Sequence, residues 1–151
     1  MLLGSLFAGM AFANSPVGAV HALAYPVGSL FHVPHGLSNS LVLPHVVRFN
    51  QEGPTSMENR VDAAMCYKEV LGIVGSFNSV ESHTGGGTNL ADAFASLAVD
   101  LEVPTRLSEV GITESDLDLL AVEAMKQGRL LPNNPRDVEY SNARDIYGAA
   151  L

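Results

Sequence analysis

The sequence has 151 residues, enough for one domain with a real core and short for two. Charged residues make up 16% of it, below the roughly 25% of an average soluble domain, and the net charge is −8. A 47% apolar content excludes a disordered chain, and two lysines (Lys68, Lys126) with scattered arginines argue against a nucleic-acid partner.

The charge is unevenly placed. From Met1 to Val47 there is no Asp, Glu, Lys or Arg, and Arg48 is the first ionic side chain. Four of the five histidines, His21, His32, His35 and His45, lie inside this uncharged stretch. The opening run MLLGSLFAGMAFA lacks the basic segment that precedes a signal-peptide core, and it reaches Asn14-Ser15-Pro16 too early to span a bilayer. The expectation is no membrane insertion, with the first helices buried on nearly every side. A helix starting at Met1 with no capping residue reads as cut into, the tail of something longer.

The elements then follow in order. Met1–Ala13 is a helix closed by Asn14-Ser15-Pro16. Val17–Phe31 is a second, bent or split by Pro26 and Gly28. A third runs from His35 to Asn50, interrupted by Pro44, with Leu37, Leu41, Val42 and Val46 at helical spacing. Thr55 and Glu58 form a capping-box pattern that opens a helix through Leu71. Cys66, the single cysteine, cannot make an internal disulfide; it fits a reducing compartment and reads as a buried small hydrophobe. GSFNSVESHTGGGT (Gly75–Thr88) has no period and reads as loop. Asn89 caps a helix marked by Leu90, Phe94, Leu97 and Leu101, which Pro104 stops. Thr113 with Asp116 caps the next, through Ala124, and Ser141–Leu151 is the last. Nothing alternates like a strand between hairpin turns, so the class is all-α, a multi-helix bundle.

A lone histidine among apolar helices is more often a packed core residue than a ligand. His21 and Tyr25, however, are four residues apart on one helical face. His35 opens the next helix, and the Pro/Gly bend between them allows both imidazoles to reach one point. Two neutral imidazoles are part of a divalent-metal site, though not a whole one. His32 and His45 read as structural, and His83 as solvated in the loop. Gly85–Gly87 has no strand before it and reads as a surface loop rather than a phosphate cradle.

The stretch GMAFANSPVGAVHALAYPVGSLFHVPHGLSNSLVLPHVVRFN (Gly9–Asn50) closely resembles the C-terminal signature of the iron-containing (group III) alcohol dehydrogenases. PTRLSEVGITESDLDLLAVEAM (Pro104–Met125) and NNPRDVEYSNARDIYGAAL at the end are similar to the tail of that family. The resemblance implies a dehydroquinate synthase-like C-terminal helical domain over residues 1–151. The N-terminal NAD- or NADP-binding half and the first part of the helical domain would then be absent. It implies Fe(II), or Zn(II), held by one Asp and three His, the last two matching His21 and His35. Phe12 matches an aromatic of the substrate pocket. Tyr25 stands where many members have a histidine associated with passing the substrate proton, and a hydroxyl of pKa near 10 is a poor shuttle at neutral pH.

The implied function is the C-terminal part of a cytoplasmic NAD(P)-linked enzyme that oxidises alcohols or reduces aldehydes and ketones. Its partners would be a small alcohol or aldehyde and either further copies of itself or an upstream N-terminal half. The competing reading is a free-standing, catalytically incompetent helical fragment or subunit with a structural or interaction role. The loop at 75–88 departs from the helical pattern of the family.

Overall fold

The computed structural model describes residues 2–52, 63–77 and 89–151. Seven α-helices occupy them: α1 (Leu2–Asn14), α2 (Ala19–Phe31), α3 (His35–Gln51), α4 (Ala63–Phe77), α5 (Leu90–Asp100), α6 (Leu117–Met125) and α7 (Tyr140–Ala150). Short 3₁₀ turns lie at Leu107–Val110, Glu114–Asp116 and Leu131–Asn133. No strand occurs among the described residues.

The main core forms where α2 packs on α3 and α6, and α7 closes over α3 and α6. Leu23 and Val27 of α2 meet Leu41, Val42 and Val46 of α3 and Leu117, Leu120 and Ala121 of α6 there. Each fully buried Leu or Val contributes roughly 1.5–3 kcal/mol relative to exposure. Tyr147 of α7 is wholly buried, and its hydroxyl donates to the Leu23 carbonyl at 2.6 Å, tying the last helix to the second. A smaller cluster, Val47, Leu90 and Ala91 with Leu43, Tyr67, Leu71 and Phe94, joins α4 and α5 to the outer side of α3.

Pro26 and Pro44 lie inside helices that run on through them. Each removes one intrahelical hydrogen bond, at a cost of about 3 kcal/mol, and each is itself buried, so tertiary packing overrides the local break. Of the bend or split expected at Pro26 and Gly28, the split does not occur, and the expected interruption at Pro44 is likewise corrected, since both helices are continuous. Asn89 caps α5 as expected, its Oδ1 accepting from the Asp92 backbone N–H at 3.1 Å. Thr113 and Asp116 form their predicted box, but around a short 3₁₀ turn that precedes α6. The fourth helix runs to Phe77, beyond the predicted end at Leu71, so the first residues of the predicted 75–88 loop are helical. The rest of that loop, the Thr55/Glu58 box, His83 and Gly85–Gly87 lie outside the described residues.

Two burial expectations are corrected. Cys66 is exposed on α4 rather than buried. α1 has no buried residue at all: Leu2, Leu3, Leu6, Phe7, Met10 and Phe12 are all exposed. The chain bends by 108° between α1 and α2, so α1 does not share the packing that buries α2 and α3. No single helix among the described residues is long and apolar enough to cross a membrane.

Candidate metal centre

α2 buries Ala19, Ala22, Leu23, Pro26 and Val27 against the bundle. That choice of face leaves His21 and Tyr25, one turn apart, on its opposite side. The chain then reverses in three residues. His32 ends α2 in the left-handed region (φ 56°), Val33 is buried, and Pro34 precedes the first turn of α3. Ser38 fastens this corner: wholly buried, its hydroxyl lies 3.2 Å from both the Val33 and Pro34 carbonyls. Gly28 allows it to close, since a Cβ there would meet the Val33 carbonyl oxygen at 3.3 Å and Ser38 Oγ at 3.5 Å.

The corner carries His35 back beside the second helix. The His21 and His35 ring centroids are 5.3 Å apart at 55°, Tyr25 stacks on His35 at 5.8 Å, and His21 meets Tyr25 edge-on at 6.3 Å. Burial, and then the neighbouring His35, push the His21 pKa down, which favours the neutral ring and its free lone pair. Two imidazoles bound to one ion at about 2.1 Å, with a tetrahedral or near-right angle between them, have centroids roughly 5 Å apart. The observed pair therefore fits two positions of a coordination sphere. Among the described residues no third His, Cys, Asp or Glu joins them.

A cleft of about 480 Å³ opens beside the cluster, lined by Ala24, Tyr25, Gly28, Ser29, Val33, His35 and Gln127. Phe12 is not part of it; it lies 59% exposed on α1, with no ring contact to the cluster among the described residues. His32 is exposed at the corner. His45 is half-buried further along α3, where it lines a separate hollow with Arg48, Phe49 and Arg136. Burial and the Arg48 charge lower its pKa, and its Nδ1 is buried with no partner among the described residues.

Sequence reasoning missed three polar groups around the cluster. The Asn39 carboxamide nitrogen lies 3.1 Å from His35 Nε2, one turn along α3, while its Oδ1 is buried without a partner. The four-residue spacing from His35 was the available signal for it. Ser29 lies one turn beyond Tyr25 on α2 and was open to the same argument. Gln127 comes from the turn after α6, and no local pattern connects it to residues 25–35.

Comparison with known proteins places this geometry in context. The family described as "Fe-containing alcohol dehydrogenase family, C-terminal" matches residues 1–151. The long-chain-alcohol dehydrogenase 1 of Geobacillus thermodenitrificans is 33% identical over 151 residues, all of this chain and 36% of the relative. The 1,3-propanediol dehydrogenase of Citrobacter freundii is 35% identical over 152 residues, again 100% of this chain and 36% of the relative. A crystal structure of a 1,3-propanediol oxidoreductase superposes with a TM-score of 0.71 at 34% identity, covering 97% of this chain and 36% of that one. The chain thus spans about a third of the length of the relatives it matches.

Proposed function

The chain belongs to the Fe-containing alcohol dehydrogenase family, within its C-terminal domain, and we propose that it is the metal-holding helical part of an NAD(P)-linked enzyme. The reaction is oxidation of a small alcohol or, in reverse, reduction of an aldehyde or ketone. The observation that carries this reading is the approach of the His21 and His35 rings to 5.3 Å across the α2–α3 corner. The metal is Fe(II) or Zn(II), and the further ligands and the dinucleotide-binding half come from polypeptide preceding the matched region in the relatives.

An ion held there would supply Lewis acidity at an alcohol or carbonyl oxygen, and a dinucleotide would supply the hydride acceptor or donor. Everything else falls to side chains of this chain. His21 and His35 present imidazole nitrogens, and the buried corner at Ser38 holds the second ring in place. Tyr25 borders the cleft and offers a hydroxyl to a bound oxygen as hydrogen-bond donor. Ala24 and Val33 supply the apolar wall, and Ser29 and Gln127 the polar edge. Phe12 joins the substrate pocket only if α1 is held against the cleft by a covering element.

The exposed apolar surface of α1 supports packing against such an element, because an uncovered face of six large apolar side chains drives association. The upstream half of the enzyme is the proposed cover, with assembly into a homo-oligomer and a cytoplasmic location as part of the same reading.

The test is a chimera in which residues 1–151 replace the matching C-terminal part of the 1,3-propanediol dehydrogenase relative. It is expected to bind one divalent ion per chain and to turn over short alcohols with NAD or NADP. A folded, metal-loaded chimera without turnover would favour the non-enzymatic reading instead.

A further inference from the structure

A second cavity shares no lining residue with the cleft beside His35. It is a partly enclosed hollow of about 300 Å³ at the seam between the main core and the smaller cluster of α3, α4 and α5. Its walls are mostly apolar, with Val20 from α2, Leu43, Val46 and Val47 from α3, and Leu90 and Phe94 from α5. Among the described residues no acidic, basic or histidine side chain lines it. A charged guest would therefore lose its hydration without gaining a counter-charge.

One part of the wall is polar and already organised. Asn50 Nδ2 donates to Asn134 Oδ1 at 3.1 Å, and Asn134 Nδ2 donates back to Asn50 Oδ1 at 2.7 Å. Asn50 Nδ2 also donates to the Tyr67 hydroxyl oxygen at 2.9 Å. All three residues line the cavity, so their mutual bonds gather them at one place on its wall. The Tyr67 hydroxyl has its oxygen engaged, and its proton has no acceptor among the described residues. Burial pushes its pKa up, so it stays a neutral donor.

We propose that this cavity binds a small neutral ketone or alcohol, whose oxygen accepts from the Tyr67 hydroxyl while its apolar body lies on Val46, Val47, Leu90 and Phe94. An apolar cavity of about 150 Å³ already takes a benzene-sized guest, so a body of about six to eight carbons suits the space. The combination of an apolar enclosure and one unspent donor selects a single acceptor at one end of the ligand. The site does not depend on the dehydrogenase reading, since it shares nothing with the imidazole pair.

The probe is cyclohexanone, titrated into the intact chain in the presence of a chelator and followed by methyl NMR, with cyclohexane and cyclohexanecarboxylate as comparators. Saturable shifts are expected at Val46, Val47 and Leu90, with cyclohexane binding about tenfold more weakly and the carboxylate not at all. Tyr67→Phe should cost the ketone about tenfold, one hydrogen bond's worth, and leave cyclohexane unaffected. Val70→Phe, which adds a ring at the cavity wall from a partly exposed position, should abolish binding with thermal stability kept. The proposal is overturned by absence of a saturable shift, by shifts centred on Ala24 and Val33, or by equal affinities for cyclohexanone and cyclohexane. The last comparison uses the parent chain, so it decides the matter even if a variant fails to fold.

Discussion

The imidazoles of His21 and His35, fourteen residues apart in the chain, stand with ring centroids 5.3 Å apart because the α2–α3 corner closes in three residues. If both hold the ion, His21→Ala should lower Zn(II) or Co(II) affinity by at least about 100-fold, more than the loss of a residue that merely supports a ligand. Helical circular dichroism should be unchanged, because His21 lies outside the apolar core. Calorimetric titration measures it, and an unaltered affinity would remove His21 from the metal site.

The corner itself is testable at Ser38. Ser38→Ala leaves the Val33 and Pro34 carbonyls without their side-chain donor and should cost about 1 kcal/mol in urea denaturation. Metal affinity should fall as well, since the first turn of α3 carries His35. A variant that loses stability but keeps full affinity would show that the corner does not position the ring.

Tyr147 offers a purely structural test. Tyr147→Phe keeps the ring volume but removes the side-chain donor that the Leu23 carbonyl, already an acceptor within α2, receives at 2.6 Å in the parent. The expected loss is about 0.5–1.5 kcal/mol, the net contribution of one hydrogen bond. Metal binding should not change. A neutral stability effect would show that this bond does not tie α7 to α2.

His45 predicts a pH dependence. Its folded pKa is lowered, by burial first and by Arg48 second. Below the ordinary imidazole value of about 6.5, the unfolded chain takes up the proton more readily than the folded one. Stability is therefore full above that value and is lost as the pH falls below it toward the folded pKa. Urea midpoints at pH 7.5 and 5.5 should show a smaller acid loss in His45→Leu than in the parent. Identical losses would exclude His45 as a source.

Much of this was legible along the chain. The helical period located α2, α3, α5, α6 and α7 to within a few residues, because burial of one face demands that spacing. The family resemblance pointed to His21 and His35 through the order and length of the histidine block. What the sequence could not carry was direction in space. Pro26 and Pro44 read as breaks but stand inside continuous helices, since their burial depends on neighbours from other elements. Cys66 read as buried from its apolar surroundings, yet it is exposed on α4.

The sequence by itself determined the class, the positions of the helices and the membership of two histidines in one recognisable block, because local periodicity and residue order are properties of a single chain. Only the tertiary structure decided which helix faces are covered. It left α1 uncovered and brought Gln127 to a cleft formed by residues about a hundred positions earlier. Those outcomes follow from packing between distant segments, where one face is buried only at the expense of exposing another.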